Sequence, residues 1–498
     1  MTVTQKQSND AAPTAAGAPE ASAAEVSAAE TSAAEARRIR AVTAGAVALV
    51  SLVAFEALAV TTVMPAVVAD LDGLPYYALG FGAPLAASVV GMAVSGAWAD
   101  ARGPRRPLLA AVALFSLGLV VAGTAATMTL FVAGRGLQGL GGGMLVVALY
   151  AMLGSSVPER ARPRLLAAFA AAWVLPAMVG PSIASLLLHA AGWRSVFLVV
   201  PLVAVPAAVL TLRGVADGRA VVQSDPPTSS STGERRPTAR GAVRRRIALA
   251  AVAGTGAAAL QVVGTRDGPG WRLAAAGALA VVVVAAYRLL PRGTFRLARG
   301  VPSVVAVRGL ISAGFAAAET FVPLLLVREH GWSPGLAGLA LTAGAIAWST
   351  TSWVQGRVPE VERRYGYARV GTALLLVGTS LVLVAALPGS SGLVVVAGWA
   401  FAGGGMGLVY ASTSLLTLHL AQQERQGEAS AALTTSEALT SALVIAVAGA
   451  LFAALLPVGL GPDDAAGPAP YLAAFAVAVG TAGLSVVGAW RLRARRPR

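Results

Sequence analysis

Fourteen apolar runs follow one another along this chain, each near the ~20 residues that a helix needs to cross a bilayer. They lie at about 42–66, 78–99, 107–127, 129–154, 165–188, 194–213, 247–264, 272–290, 301–327, 335–356, 368–387, 392–418, 429–457 and 470–491. Short polar segments separate them. The pattern predicts an all-α integral membrane protein.

Composition sharpens that reading. Of 498 residues, 56% are hydrophobic and 12% charged, about half the charge of an ordinary soluble protein. The formal net charge of +15 does not point to nucleic acid, because the arginines cluster between apolar runs. If the amino terminus is cytoplasmic, 32 of the 38 basic residues fall in cytoplasmic tails or loops. Four fall outside, at Arg194, Arg266, Arg272 and Arg328, and two within spans, at Arg135 and Arg308. That bias predicts both termini inside. Lys6 is the single lysine while alanine and arginine abound, which suggests a high-GC bacterial genome and hence a bacterial plasma membrane. There is no cysteine, so no thiol chemistry exists.

Residues 1–41 are rich in Ala, Ser, Glu and Thr before Arg37, Arg38 and Arg40. They are expected as a disordered cytoplasmic tail, not as a signal peptide. Residues 214–246 carry a Ser-Asp-Pro-Pro-Thr-Ser-Ser-Ser-Thr-Gly stretch with many arginines and are expected as a flexible cytoplasmic linker. Residues 492–498 form a basic tail.

The chain also repeats itself. Val132-Ala-Gly-Arg135 through Met144 matches Val396-Ala-Gly-Trp399 through Met406, and Glu159-Arg160 matches Glu424-Arg425. Span 1 ends Val63-Met-Pro65, and span 9 ends Phe321-Val-Pro323. The repeat offset covers eight spans, so two six-helix halves, 42–213 and 291–491, are expected with spans 7 and 8 (247–290) inserted between them.

The loop after span 2 reads Gly96-Ala-Trp-Ala-Asp100-Ala-Arg-Gly103-Pro-Arg105-Arg106. Gly103-Pro104 must end the helix, and Asp100 is placed to meet an arginine or a helix amino terminus. Gly96, Asp100, Gly103, Arg105 and Arg106 fit the pattern G-x-x-x-D-x-x-G-x-K/R-K/R, so the loop resembles that between helices 2 and 3 of the major facilitator superfamily. With its fourteen spans the chain resembles most closely the fourteen-span drug:proton antiporters. The resemblance implies the major facilitator fold: two pseudo-symmetric six-helix bundles around a substrate cavity, plus two inserted helices.

Arg135 lies inside span 4, where a charge costs roughly 2.5–3.5 kcal/mol to insert and should face a partner within the bundle. Arg135, Gln138, Gly139 and Gly141 match the family pattern R-x-x-Q-G-x-G, which the resemblance links to proton coupling. Glu56, mid-way along span 1 and ~13 Å below Pro65, is its candidate partner. The family usually has Asp there. Span 9 holds Arg308 and Glu319, and span 13 holds Glu437. Arg308 and Glu437 share a depth and predict an intramembrane ion pair, structural or coupling. Glu319 has no cation at its depth and reads as a second titrating site or as a contact for cationic cargo. Gly180-Pro181 in span 5 permits a bend and partly matches an exporter signature of the family. Gly192-Trp193-Arg194 with Phe197 resembles the entry to helix 6.

The glycines at 139, 141–143 and 403–405 predict close helix packing. The three histidines form no metal pattern, and no catalytic constellation is present. The expectation is a transporter, not an enzyme, without metal or cofactor. Its partners are a small molecule, protons and the bilayer, and it is expected as a monomer. The resemblance implies proton-coupled export of hydrophobic or cationic molecules. Export of a lipid or an endogenous secondary metabolite is the alternative, and a membrane-embedded enzyme or sensor is a third.

Overall fold

The computed structural model describes residues 18–156, 162–222, 239–264, 268–358, 360–422, 425–461 and 464–492. These form fourteen α-helices: α1 (Ala18–Asp70), α2 (Leu79–Arg102), α3 (Arg105–Gly123), α4 (Met128–Ser156), α5 (Arg162–Ala191), α6 (Trp193–Val222), α7 (Ala239–Gly264), α8 (Pro269–Leu289), α9 (Val301–Arg328), α10 (Pro334–Gly356), α11 (Val361–Ala385), α12 (Gly392–Leu420), α13 (Gln426–Ala454) and α14 (Pro468–Trp490). Short 3-10 turns at Leu74–Tyr76 and Thr294–Arg296 join two pairs. No strand occurs among the described residues. Below, the basic face is the one where α1 enters the bundle and where the loop at 100–106 lies.

Twelve of the helices are long and apolar enough to cross a membrane. The two expected spans that fall short do so for different reasons. α7 opens on Arg240 and Arg244–Arg246, so its apolar part is only Ile247–Leu260. α10 is 23 residues long, but Thr351, Ser352 and Gln355 lower its hydropathy. Those polar groups bond to α12: Thr351 Oγ1 to the Gly404 carbonyl at 3.0 Å, Ser352 Oγ to Gly407 O at 3.3 Å and Gln355 Nε2 to Gly407 O at 2.9 Å. Polarity that is spent on a neighbouring helix does not face lipid.

Two stretches expected to be irregular are partly helical. α1 starts at Ala18, well inside the expected tail, because Ala and Glu are strong helix formers that can extend a helix already nucleated by the bundle. Likewise α6 runs on to Val222 and α7 starts at Ala239, which trims the expected linker at both ends. Residues 1–17, 223–238 and 493–498 lie outside the described residues, as do Glu159, Arg160 and Glu424 of the repeat.

The contacts between helices repeat as the sequence does. α1 packs on α5 and α6, α4 on α2 and α3, and α3 on α6. Their counterparts do the same: α9 on α13 and α14, α12 on α10 and α11, and α11 on α14. Glycine makes the tightest of these crossings possible. A Cβ on Gly143 would collide with the Ser88 carbonyl of α2, and one on Gly403 with the backbone of Gly344 on α10. α7 and α8 form a hairpin that leans on α2 and α13. It covers one of the two edges where the bundles meet; at the other, α5 meets α10 with no such cover.

The bundles join in the half of the membrane away from the basic face. Thr62 of α1 and Pro181 of α5 both abut Gly338 of α10, and Ser185 of α5 abuts Gly335. Ala78 sits against Gly449 of α13, and the Tyr77 and Phe321 rings lie 5.8 Å apart. One apolar core runs through this half from Val60, Val63 and Phe131 to Phe321, Leu341 and Phe452. Toward the basic face the amino-terminal bundle has a separate core of its own, built on Leu49, Leu108, Met152, Phe169 and Leu212.

Candidate functional site

Glu56, Arg135 and Gln138 are all buried within the amino-terminal bundle, at 5%, 4% and 4% exposure. α1 supplies the carboxylate, and one turn of α4 supplies both the guanidinium and the amide. The i, i+3 spacing puts Arg135 and Gln138 on one helix face. Arg135 Nη1 donates to Glu56 Oε1 and to Gln138 Oε1. Gln138 Nε2 donates to Glu56 Oε2 at 2.6 Å. Arg135 Nε donates to the Gly80 carbonyl on α2 at 3.1 Å, and the guanidinium carbon lies 6.0 Å from the Phe197 ring centre. Both carboxylate oxygens are therefore held, each by a different donor. Burying a charge pair is tolerable only when its remaining donors and acceptors are matched in this way.

A second ionic cluster occupies the carboxy-terminal bundle. Arg308 Nε donates to Glu437 Oε2 at 3.0 Å. Its Nη1 reaches Tyr410 O at 2.7 Å, Thr413 Oγ1 at 3.0 Å and Ser414 Oγ at 3.3 Å. The guanidinium carbon lies 3.1 Å from the centre of the Tyr410 ring, and the Tyr410 hydroxyl donates to Glu437 Oε2 at 3.4 Å. Arg308 is buried, whereas Glu437 is partly exposed. The expected ion pair is present, with α12 as its third wall.

Other expected residues are placed as follows. Glu319 sits on α9 with no hydrogen-bond or ion-pair partner among the described residues. Gly180 and Pro181 lie where α5 touches α1 and α10: a Cβ on Gly180 would meet Phe55 and Leu58 at 3.7 and 3.8 Å. α5 runs as one helix through both Pro176 and Pro181. In the loop after α2, Gly103 takes a positive φ of 77° and its N–H caps Ala99 O at 2.9 Å, so the helix ends where the sequence requires. Gly96 remains inside α2. Asp100, Arg105 and Arg106 are exposed, and none has an ion-pair partner among the described residues. Asp100 does not make the expected ion pair among the described residues.

The sequence profile of the Major Facilitator Superfamily matches residues 46–445. The chain belongs to the major facilitator superfamily. A protein of Mycobacterium tuberculosis named a probable multidrug-efflux transporter is 26% identical over 425 residues, covering 82% of this chain and 86% of its own. The Multidrug resistance protein Stp of the same organism is 26% identical over 412 residues, covering 78% and 71%. The Multidrug transporter protein MdtP of Bacillus subtilis is 25% identical over 396 residues, covering 77% and 69%. Among solved structures, the POT family transporter PepTSo superposes with a TM-score of 0.60 at 14% identity, covering 91% of this chain and 96% of that one. A peptide transporter POT bound to sulfate superposes at 0.55 with 15% identity, covering 90% and 93%. At those identities the likeness shows the fold. This member of the superfamily is thus a multi-pass membrane transporter of small molecules, not an enzyme.

Two groups in this transporter go beyond the residues singled out from sequence. Gln138 was visible only as part of a pattern, yet it closes the Glu56 site. Gln355 and Arg364 form a buried network in the carboxy-terminal half: Arg364 donates to Gln355 Oε1 and to Val358 O, both at 2.7 Å, and Ser412 Oγ donates to Gln355 Oε1 at 2.9 Å. The repeat could have flagged it. Gln355 lies one repeat after Ser95, whose hydroxyl makes the corresponding bond from α2 to Met144 O on α4 at 2.8 Å.

Proposed function

We propose that this transporter exports hydrophobic or cationic small molecules across a bacterial plasma membrane in exchange for protons, by alternating access. The observation that carries the proposal is the enclosed triad of Glu56, Arg135 and Gln138. A carboxylate in the membrane interior is a functional group by default, since it costs too much to keep as packing. Here its two oxygens are shared between a cation and an amide, so one proton changes the whole arrangement. Protonation of Glu56 removes the counter-ion of Arg135, which keeps its bond to Gly80 O and loosens the tie between α1 and α4. Loss of that proton restores the tie. α1 also carries Thr62, which touches α10 of the other bundle, so the triad and the bundle contact share one helix.

The basic face is taken as cytoplasmic, with both termini on that side. The bundles join away from it, as expected of a state that faces the cytoplasm. In the cycle, Glu56 takes a proton when the site opens outward and releases it inward as the bundles return. Glu319, with no hydrogen-bond or ion-pair partner among the described residues, serves as a second proton site. The transporter works as a monomer, since one chain holds both bundles. The resemblance of the chain to several multidrug-efflux proteins supports the cargo class.

The experiment is transport in inverted membrane vesicles with an imposed proton gradient and a cationic dye. Glu56→Gln should abolish proton-driven uptake while the protein still reaches the membrane. Uptake at the unmutated rate would remove Glu56 from the mechanism.

A further inference from the structure

On the basic face, between the end of α8 and the start of α9, the chain makes a turn that no transport step uses. Thr294–Arg296 form one 3-10 turn, and Leu297 follows in the left-handed region at φ 52°. A leucine there costs roughly 1 kcal/mol or more. The turn is nonetheless fixed, with Thr294 Oγ1 donating to Pro291 O at 2.7 Å and Leu297 near Gly488 of α14. Together with the end of α14 it frames a hollow of about 500 Å³ lined by Arg296, Leu297, Ala298, Arg299, Trp490 and Arg491.

Three guanidinium groups from two distant parts of the chain thus converge on one concavity. No acid lines it, and none of the three has an ion-pair partner among the described residues. The chain from 492 to its last residue at 498 adds four arginines and no acid. Like charges gathered this way repel one another unless an anion sits among them. The guanidinium carbon of Arg369 lies 4.9 Å from the centre of the Trp490 ring, and its buried Nε has no acceptor among the described residues. Planar, bidentate guanidinium groups match phosphate oxygens.

The surroundings are those of a membrane surface. Trp490 is 61% exposed. Phe295, in the turn, is exposed and lies 5.9 Å from Tyr287 on the exposed side of α8. Amphipathic rings of this kind mark the headgroup level. Basic pockets between helices on that side of a membrane take anionic headgroups.

We infer that this hollow holds the phosphate headgroup of an anionic phospholipid from the cytoplasmic leaflet, with Arg296, Arg299 and Arg491 as its ligands and Trp490 beside the acyl chains. The inference rests on the reading of the basic face as cytoplasmic, but not on the cargo or on proton coupling.

The test uses the purified full chain in neutral detergent, with phosphatidylglycerol, phosphatidylcholine and inorganic phosphate as separate probes. Retained lipid is counted by native mass spectrometry, and the thermal midpoint is followed. Phosphatidylglycerol should bind and raise the midpoint, while phosphatidylcholine and inorganic phosphate should do neither. Arg299→Gln with Arg491→Gln should weaken that binding roughly fivefold for each arginine removed. The same double change at Arg244 and Arg245, elsewhere on the basic face, should leave it intact. Equal loss at Arg244 and Arg245, unchanged binding in the Arg299 and Arg491 variant, or an equal shift with inorganic phosphate would each overturn the assignment. A vesicle assay showing no drug transport beside intact, Arg299-dependent lipid binding would overturn only the export reading.

Discussion

Gln138 Nε2 donates to Glu56 Oε2 at 2.6 Å, while Arg135, one turn earlier on the same helix, holds Oε1. The two residues of α4 therefore grip one carboxylate from both ends. Lysine at 135 would keep the charge but could not reach the Gly80 carbonyl, Gln138 and Glu56 at once. An Arg↔Lys change at a multidentate site is not conservative. Arg135→Lys should reach the membrane in normal amounts and transport at least about tenfold more slowly, which corresponds to about 1.4 kcal/mol in the rate-limiting step. Initial rates in vesicles measure this; rates near the unmutated protein would mean that the charge alone matters.

Arg308 is held by one carboxylate and three further oxygens in the carboxy-terminal bundle. Removing one partner of a buried pair leaves an uncompensated charge and typically costs 3–5 kcal/mol, or about that order. Glu437 is partly exposed, so water relieves some of that cost when Arg308 is kept. Arg308→Ala should therefore lower the thermal midpoint more than Glu437→Gln does. Arg308→Met combined with Glu437→Met should recover much of the loss. If the double variant is as unstable as Arg308→Ala but still couples protons normally, the pair's work is structural and the apolar replacement simply fails to pack.

Glu319 loses no bond on neutralisation, because it has none among the described residues. Glu319→Gln should leave the thermal midpoint unchanged or raise it, because it removes an uncompensated intramembrane charge without breaking a bond. Proton flux per molecule of cargo should fall. An unchanged flux ratio would take Glu319 out of the coupling pathway.

The contact between α5 and α10 offers a lock. A Cβ built on Gly335 lies 3.4 Å from the Cβ of Ser185, close to the separation a disulfide needs. The chain has no cysteine of its own, so a Ser185→Cys, Gly335→Cys variant would carry a single possible bridge. Oxidation should link the bundles on the side away from the basic face and stop transport, and a reductant should restore it. Continued transport by the fully bridged protein would show that this contact does not open during the cycle.

Much of this architecture was legible in one dimension. Lipid imposes a simple rule on a chain: backbone polar groups must be satisfied within the segment, and apolar length must match bilayer thickness. The runs of apolar residues therefore gave the helices, and the contacts between them repeat with the eight-span offset of the sequence. The run at 335–356 is helical as expected, and its Thr, Ser and Gln side chains bond α12. The expected tail differs: α1 is helical from Ala18 although its first turns are polar.

The sequence by itself determined which charges lie within the apolar runs: Glu56, Arg135, Arg308, Glu319 and Glu437, at depths where hydrocarbon disfavours them. Depth named Glu56 for Arg135 and Glu437 for Arg308, but it could not fix the contacts, since depth along a helix says nothing of the direction a side chain takes around it. Only the packing of α1 and α2 against α4 joined Glu56 to Arg135, Gln138 and Gly80. Only the wall of α12 gave Arg308 its hydroxyls and Tyr410. Which loops meet depends on the side where the bundles have closed, a balance between whole-bundle contacts that no local stretch encodes, and Asp100 has no ion-pair partner among the described residues.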